Sequence, residues 1–148
     1  MKILIPVDGS DCAIATVEWA ANTLDKNNTR YYVLSVIPDP MIAEYEIEDA
    51  SIFLNEARGI LEQSGCMVEK TEYLQGDPIE MICRYADDID ADQVLMGSHG
   101  RGGVAKFFLG SVSTAVLERC HKPVFLYRNV ERKAGQKVEH RAPTFYTL

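Results

Sequence analysis

Apolar positions along the chain switch repeatedly between a strand period and a helix period. Lys2 to Val7 is a short β-rich run ending in Asp8-Gly9-Ser10-Asp11, a turn that holds a ready helix cap. Ala13, Val17, Ala20, Ala21 and Leu24 then keep helical spacing until Asn27-Asn28 stops them. Tyr31 to Ile37 is a continuous apolar run broken only by Ser35 and halted by Pro38-Asp39-Pro40, which points to a strand buried on both faces. A loop is expected over 39–46. From about Ile47, the series Ala50, Leu54, Ala57, Leu61 predicts a second amphipathic helix, closed by Ser64-Gly65 with Gly65 just past its end.

The second half repeats the alternation. Met67 to Leu74 predicts an edge strand. Gly76-Asp77-Pro78 opens a helix with Asp77 as cap and Pro78 in its first turn, and its buried stripe is Ile79, Ile82, Cys83 and Ala86. Asp92 to Met96 predicts a fourth strand, followed by a glycine-rich loop from Gly97 to about Gly103. A helix over about Ser111–Cys120 and a fifth strand over Pro123–Tyr127 complete the order β-α-β-α-β-α-β-α-β. The fold class that follows is α/β, an open five-stranded parallel sheet with helices on both faces. Ligands of such sheets sit at the carboxyl ends of the strands, where strand order reverses, so the loops after Val7, Ile37 and Met96 matter most. Residues 131–148 are polar and aperiodic, with four bases against two acids, and are expected as an extension to a domain over 1–130.

Composition acts mainly by exclusion. A chain of 148 residues with 47% apolar and 25% charged residues fits one globular domain. No apolar run reaches the ~18 residues of a membrane span. The N-terminal apolar stretch meets Asp8 too early for a signal peptide, so a cytoplasmic protein is expected. The net charge of −7 argues against general nucleic-acid binding, which needs Lys and Arg on phosphates. The charge is uneven: 39–50 hold Asp39, Glu44, Glu46, Glu48 and Asp49 without a base, whereas 97–113 hold Arg101 and Lys106 without an acid. Cys12, Cys66, Cys83 and Cys120 form no Cys-x-x-Cys pair, which removes support for zinc or thioredoxin-like chemistry. Cys12, near a helix start, is the best placed for redox sensing. The run Asp87, Asp88, Asp90, Asp92 lacks the glycine and glutamate of an EF-hand, and no metal-ligating set is expected.

The segment from Gly97 to Ser111 carries the chemistry. Gly97 follows a strand, and Gly110-Ser111 opens a helix. Glycines allow close backbone approach, and free N–H groups at a helix start bind phosphate. Gly97-x4-Gly102 is followed by Gly103, so the Walker pattern is absent. Gly100-Arg101-Gly102-Gly103-Val104-Ala105 does fit Gly-x-Gly-x-x-Gly/Ala, but it follows the fourth strand and lacks the ribose acid of a dinucleotide site.

The spacing Gly97-x2-Gly100-x9-Gly110-Ser111 resembles the Gly-x2-Gly-x9-Gly-Ser/Thr motif of ATP-binding universal stress proteins. Ile3-Leu4-Ile5-Pro6-Val7-Asp8-Gly9-Ser10, Gly76-Asp77-Pro78 and Lys122-Pro123-Val124 agree with it, and the resemblance covers about residues 1–129. It implies a Rossmann-like fold with strand order 3-2-1-4-5. It also implies ATP as ligand, Mg2+ bound through the phosphates, and a homodimer through the fifth strand. Carried over by position, Asp8 is similar to the acid that holds the ribose, and Pro6 and Val7 to the wall beside the base. Val36 resembles the residue whose backbone reads the adenine edge. Gly97 and Gly100 resemble the close-approach glycines, with Arg101 beside them, and Gly110, Ser111, Val112 and Ser113 the phosphate cradle.

The expected function is therefore a nucleotide-dependent regulatory switch of the stress response, acting on an unknown protein partner, with at most slow ATP hydrolysis. The alternative is a slow ATPase or nucleotidyl-transfer enzyme using the same pocket, with His99 as the plausible general base. The tail, ending in Phe145-Tyr146-Thr147-Leu148, is expected to lie as a clasp on the partner subunit or on the chain's own acidic surface.

Overall fold

The computed structural model describes residues 1–38, 43–99, 109–128 and 144–145, with backbone alone for 43–45 and 144–145. Its elements are β1 (Lys2–Pro6), α1 (Asp11–Thr23), β2 (Arg30–Ile37), α2 (Ala43–Gln63), β3 (Met67–Gln75), α3 (Pro78–Asp88), β4 (Gln93–Gly97), α4 (Ser111–Arg119), β5 (Val124–Tyr127) and β6 (Thr144–Phe145). The sheet order is β3-β2-β1-β4-β5-β6. The first five strands pair in parallel, in the expected order 3-2-1-4-5. The chain runs outward from β1 to β3 and then crosses back to β4 on the other side of β1. The order therefore reverses between β1 and β4, and their carboxyl ends open the crevice where ligands of this fold sit.

Period-two alternation along the strands divides the core in two. Ile3, Ile5 and Val7 pack with Ala13 and Val17 of α1 and with Leu54, Ala57 and Leu61 of α2 on one face. Leu4, Leu34, Val94 and Met96 pack with Ile82 and Ala86 of α3 and Val116 of α4 on the other. Ile3, Leu4 and Ile5 are 0% exposed, and each such side chain contributes about 1.5–3 kcal/mol of transfer free energy.

The helix ends follow their local chemistry. The Ser10 hydroxyl accepts from the Ala13 N–H at 3.1 Å and caps α1. Asp77 accepts from the Glu80 N–H at 2.9 Å and caps α3, with Pro78 as its first residue. At the end of α2 the Gly65 N–H bonds the Glu62 carbonyl and the Cys66 N–H bonds the Leu61 carbonyl, a paired closure that needs the left-handed φ of +82° at Gly65.

Two expectations change. α2 begins at Ala43 rather than near Ile47, because its first turns carry Glu44, Glu46, Glu48 and Asp49 instead of apolar residues. Carboxylates are favoured at a helix start, where they meet the positive end of its dipole, but they leave no apolar period to read. The second change is β6, drawn from the tail. It pairs antiparallel with β5, Phe125 opposite Phe145 and Leu126 opposite Thr144. The edge that resemblance assigns to a second copy thus holds the chain's own strand, and a partner strand could take it only by displacing β6. Among the described residues no helix is long and apolar enough to cross a membrane.

Candidate functional site

A cavity of about 400 Å³ lies at the carboxyl ends of β1, β2 and β4. Pro6, Val7 and Asp8 reach it from the end of β1, Val36 from β2, Gly97 from β4, and Gly110, Ser111, Val112 and Ser113 from the start of α4. Sequence reasoning named all nine, and the fold brings them to one place. Gly100 and Arg101 lie outside the described residues.

The α4 end of the cavity is built from backbone. Gly110 is the N-cap of α4 and has no side chain to bond the first amides. Its own N–H donates to the Ser98 carbonyl at 2.7 Å, and the Ser113 hydroxyl donates to the Gly97 carbonyl at 2.8 Å. These two bonds fasten the helix start to the end of β4. The first bond within the helix runs from the Thr114 N–H to the Gly110 carbonyl. The amides of Ser111, Val112 and Ser113 precede it, so the helix ladder gives them no acceptor. α1 and α3 differ, since each has a side-chain cap and an acid in its first turn. α4 has neither, so neither its cap nor its first turn offsets the positive end of the helix dipole.

The opposite end lies between β2 and α2. The Leu34 carbonyl accepts from the Val7 N–H, and the Ile37 carbonyl accepts from the Gly76 N–H on the β3 side. Backbone groups alternate sides along a strand, so those of Val36 point to the β1 side. They do so beyond Pro6, the last residue of β1. A planar ligand placed there meets one donor and one acceptor. Glu46, Asp49, Ala50 and Phe53 of α2 wall this end. Sequence reasoning missed them. Their i, i+3, i+4, i+7 spacing places them along one face of α2, and their spacing from the buried Ala50 was the available signal.

Individual residues refine the picture. Asp8 does not cap α1; its Oδ1 accepts from the Ser10 N–H at 3.0 Å, which fixes the carboxyl at the cavity mouth while Ser10 does the capping. Gly9 has φ +78°, and a Cβ there would overlap the Phe53 ring. Gly97 lines the cavity, but the direction of its missing Cβ faces α1, with Cys12 Sγ at 2.9 Å and the Cys12 backbone at 3.2 Å. Glycine there permits close packing of β4 on α1. Cys12 is itself buried, with its thiol directed to the Tyr127 carbonyl at 3.6 Å. His99 lines the cavity with Nδ1 3.3 Å from Ser98 Oγ.

A doubly wound sheet with a cavity at its switch point, walled by an uncapped helix start, defines a Rossmann-like α/β fold with a candidate ligand site. The family model of the universal stress proteins matches residues 1–128, and the chain belongs to that family. It is similar to universal stress protein MJ0531 of Methanocaldococcus jannaschii, 28% identical over 89% of this chain and 84% of that one. Among solved structures it is similar to the protein MJ0577, with a TM-score of 0.77 and 27% identity over 88% of this chain and 97% of that one. It is also similar to the universal stress protein from Archaeoglobus fulgidus in complex with dAMP, with a TM-score of 0.69 and 27% identity over 85% and 96% of the two chains.

Proposed function

We propose that the chain is an adenine-nucleotide-binding regulatory protein whose ligand is ATP, with Mg2+ entering on the phosphates. The observation that carries this reading is the start of α4: three amides without a helix acceptor, a glycine cap and no acid, set on the cavity wall. Such a terminus favours a phosphate group, and the Ser111 hydroxyl adds a donor. The backbone of Val36 offers the complementary donor and acceptor for an adenine edge, and Asp8 an acceptor for ribose hydroxyls. The dAMP held by the Archaeoglobus fulgidus relative supports the same ligand class.

The output of such a site is a nucleotide-dependent surface. Phosphoryl transfer needs a positioned nucleophile and charge stabilisation. In this reading His99, next to the cradle, supports at most slow hydrolysis, well below a median turnover of about 10 per second. Homodimerisation belongs to the same proposal, at the β5 edge, in exchange for β6. Mass spectrometry of the ligand released by denaturing freshly purified protein tests the reading. ATP or another adenine nucleotide in near-stoichiometric amount is expected, together with saturable ATP binding by the emptied protein. Emptied protein that binds no adenine nucleotide overturns it.

A further inference from the structure

The two ends of the cavity have opposite electrostatic character. The α4 end offers amide hydrogens and no acid. The α2 end carries two carboxylates, Glu46 and Asp49, on the stripe that also holds Phe53. A triphosphate is attracted to the first and repelled by the second. A nucleotide in this cavity therefore turns its base toward α2. The exposed Asp49 carboxyl is solvated. Glu46 is different: it lines the cavity and is half-buried, and its Oε2 is shielded from water and has no hydrogen-bond partner among the described residues. A carboxylate with one oxygen cut off from both water and donors gains more from a donor that meets its other oxygen.

We propose that Glu46 is a base-selecting residue, whose carboxylate accepts a hydrogen bond from the exocyclic amine of adenine. The inference rests on the adenine-nucleotide reading above and deepens it. An adenine edge carries one ring acceptor and an amine with two hydrogens. The Val36 N–H serves the ring acceptor, and the Val36 carbonyl takes one amine hydrogen. The second amine hydrogen needs another acceptor, and the α2 wall supplies one in Glu46. The terminal torsion of a glutamate is soft, so the shielded and the outward oxygen exchange easily. A carboxylate can only accept. Hypoxanthine and guanine put a carbonyl oxygen where adenine has its amine, so each would place an acceptor against an acceptor. Glu46 thus acts by rejecting 6-oxopurines as well as by holding adenine.

The test compares ATP with inosine triphosphate, which differs at this edge, by calorimetry on the full chain as wild type, Glu46→Gln and Glu46→Ala. The readout is the ratio of the two affinities within each variant, so a general loss of folded protein cancels. Wild type is expected to prefer ATP by at least about 10- to 100-fold, the range of one charge-assisted hydrogen bond at Glu46, to which the mismatch of inosine with the Val36 backbone adds. Glu46→Gln should lower that ratio at least several-fold, with inosine triphosphate binding improved, because an amide can donate to the 6-oxo group. Glu46→Ala should lower it through weaker ATP binding. An unchanged ratio in both variants overturns the role of Glu46 and leaves the nucleotide reading standing. Wild type that binds neither nucleotide overturns both.

Discussion

The contact between Gly9 and Phe53 ties the β1–α1 turn to the cavity wall, and Gly9→Ala measures it. Two costs add. Gly9 has φ +78°, where an L side chain costs about 1 kcal/mol. The new methyl would also overlap the edge of the Phe53 ring, whose Cδ1 lies 2.7 Å from the added carbon. Forcing a half-buried ring aside costs a further 1–3 kcal/mol or so. The expected total is about 2–4 kcal/mol, a large part of the roughly 5–15 kcal/mol that keeps a domain folded. Phe53→Leu removes Cε1 and Cζ, the ring carbons nearest the added methyl, and its δ-methyls can turn aside, which leaves mainly the backbone cost. In that background Gly9→Ala should therefore cost about 1 kcal/mol. Urea unfolding of wild type, both single variants and the double variant gives the coupling directly. If Gly9→Ala costs the same in the wild-type and the Phe53→Leu backgrounds, the ring does not rest against the turn and this picture of the cavity wall is wrong.

Other expectations follow from the same geometry. Ser111→Asp places a carboxylate at an uncapped helix start: it should stabilise the free protein by about 0.3–1 kcal/mol while lowering ATP affinity at least tenfold, seen by thermal unfolding and calorimetry. Ser113→Ala removes the buried 2.8 Å bond to the Gly97 carbonyl and should cost about 1–3 kcal/mol in urea unfolding. Deleting residues 131–148 strips β6 from the β5 edge, and sedimentation should show more self-association than in the full chain, as expected of a bared strand edge. Asp90 is held below the usual carboxylate pKa by its hydrogen bond from Lys122. A lowered folded-state value means a contribution present at neutral pH and lost as pH falls below the ordinary aspartate range. Lys122→Met should flatten that part of the acid limb of stability.

Legibility in the sequence depended on what each element uses to declare itself. α3 was readable because Asp77 and Pro78 mark a helix start chemically, and the end of α2 because Gly65 marks a left-handed closure. The parallel sheet followed from the regular alternation of strand and helix, and the apolar run of β2, broken only by Ser35, marked a strand buried on both faces. The first turns of α2 were not readable by apolar period, since carboxylates stand where the stripe continues, and Glu46, Asp49 and Phe53 were lost with them. β6 has two residues, too few for a period, and its pairing is set by the free edge of β5. Gly97 was assigned to the site from its place after β4; its contact with Cys12 depends on how closely α1 packs, which spacing cannot show. The place of Gly110 and Ser111 on the cavity wall was legible because they stand where a strand-to-helix crossing ends and a helix starts.

In the proposed complex the amides at the start of α4 receive the phosphates while Val36 reads the base. Titration of isotopically labelled protein with ATP and Mg2+, followed by amide resonances, addresses it most directly. Saturable shifts are expected, largest at Ser111, Val112, Ser113 and Val36, with Glu80, whose amide is already bonded to its cap outside the cavity, changing little. Saturable binding that moves other amides and leaves Ser111 to Ser113 in place would contradict it.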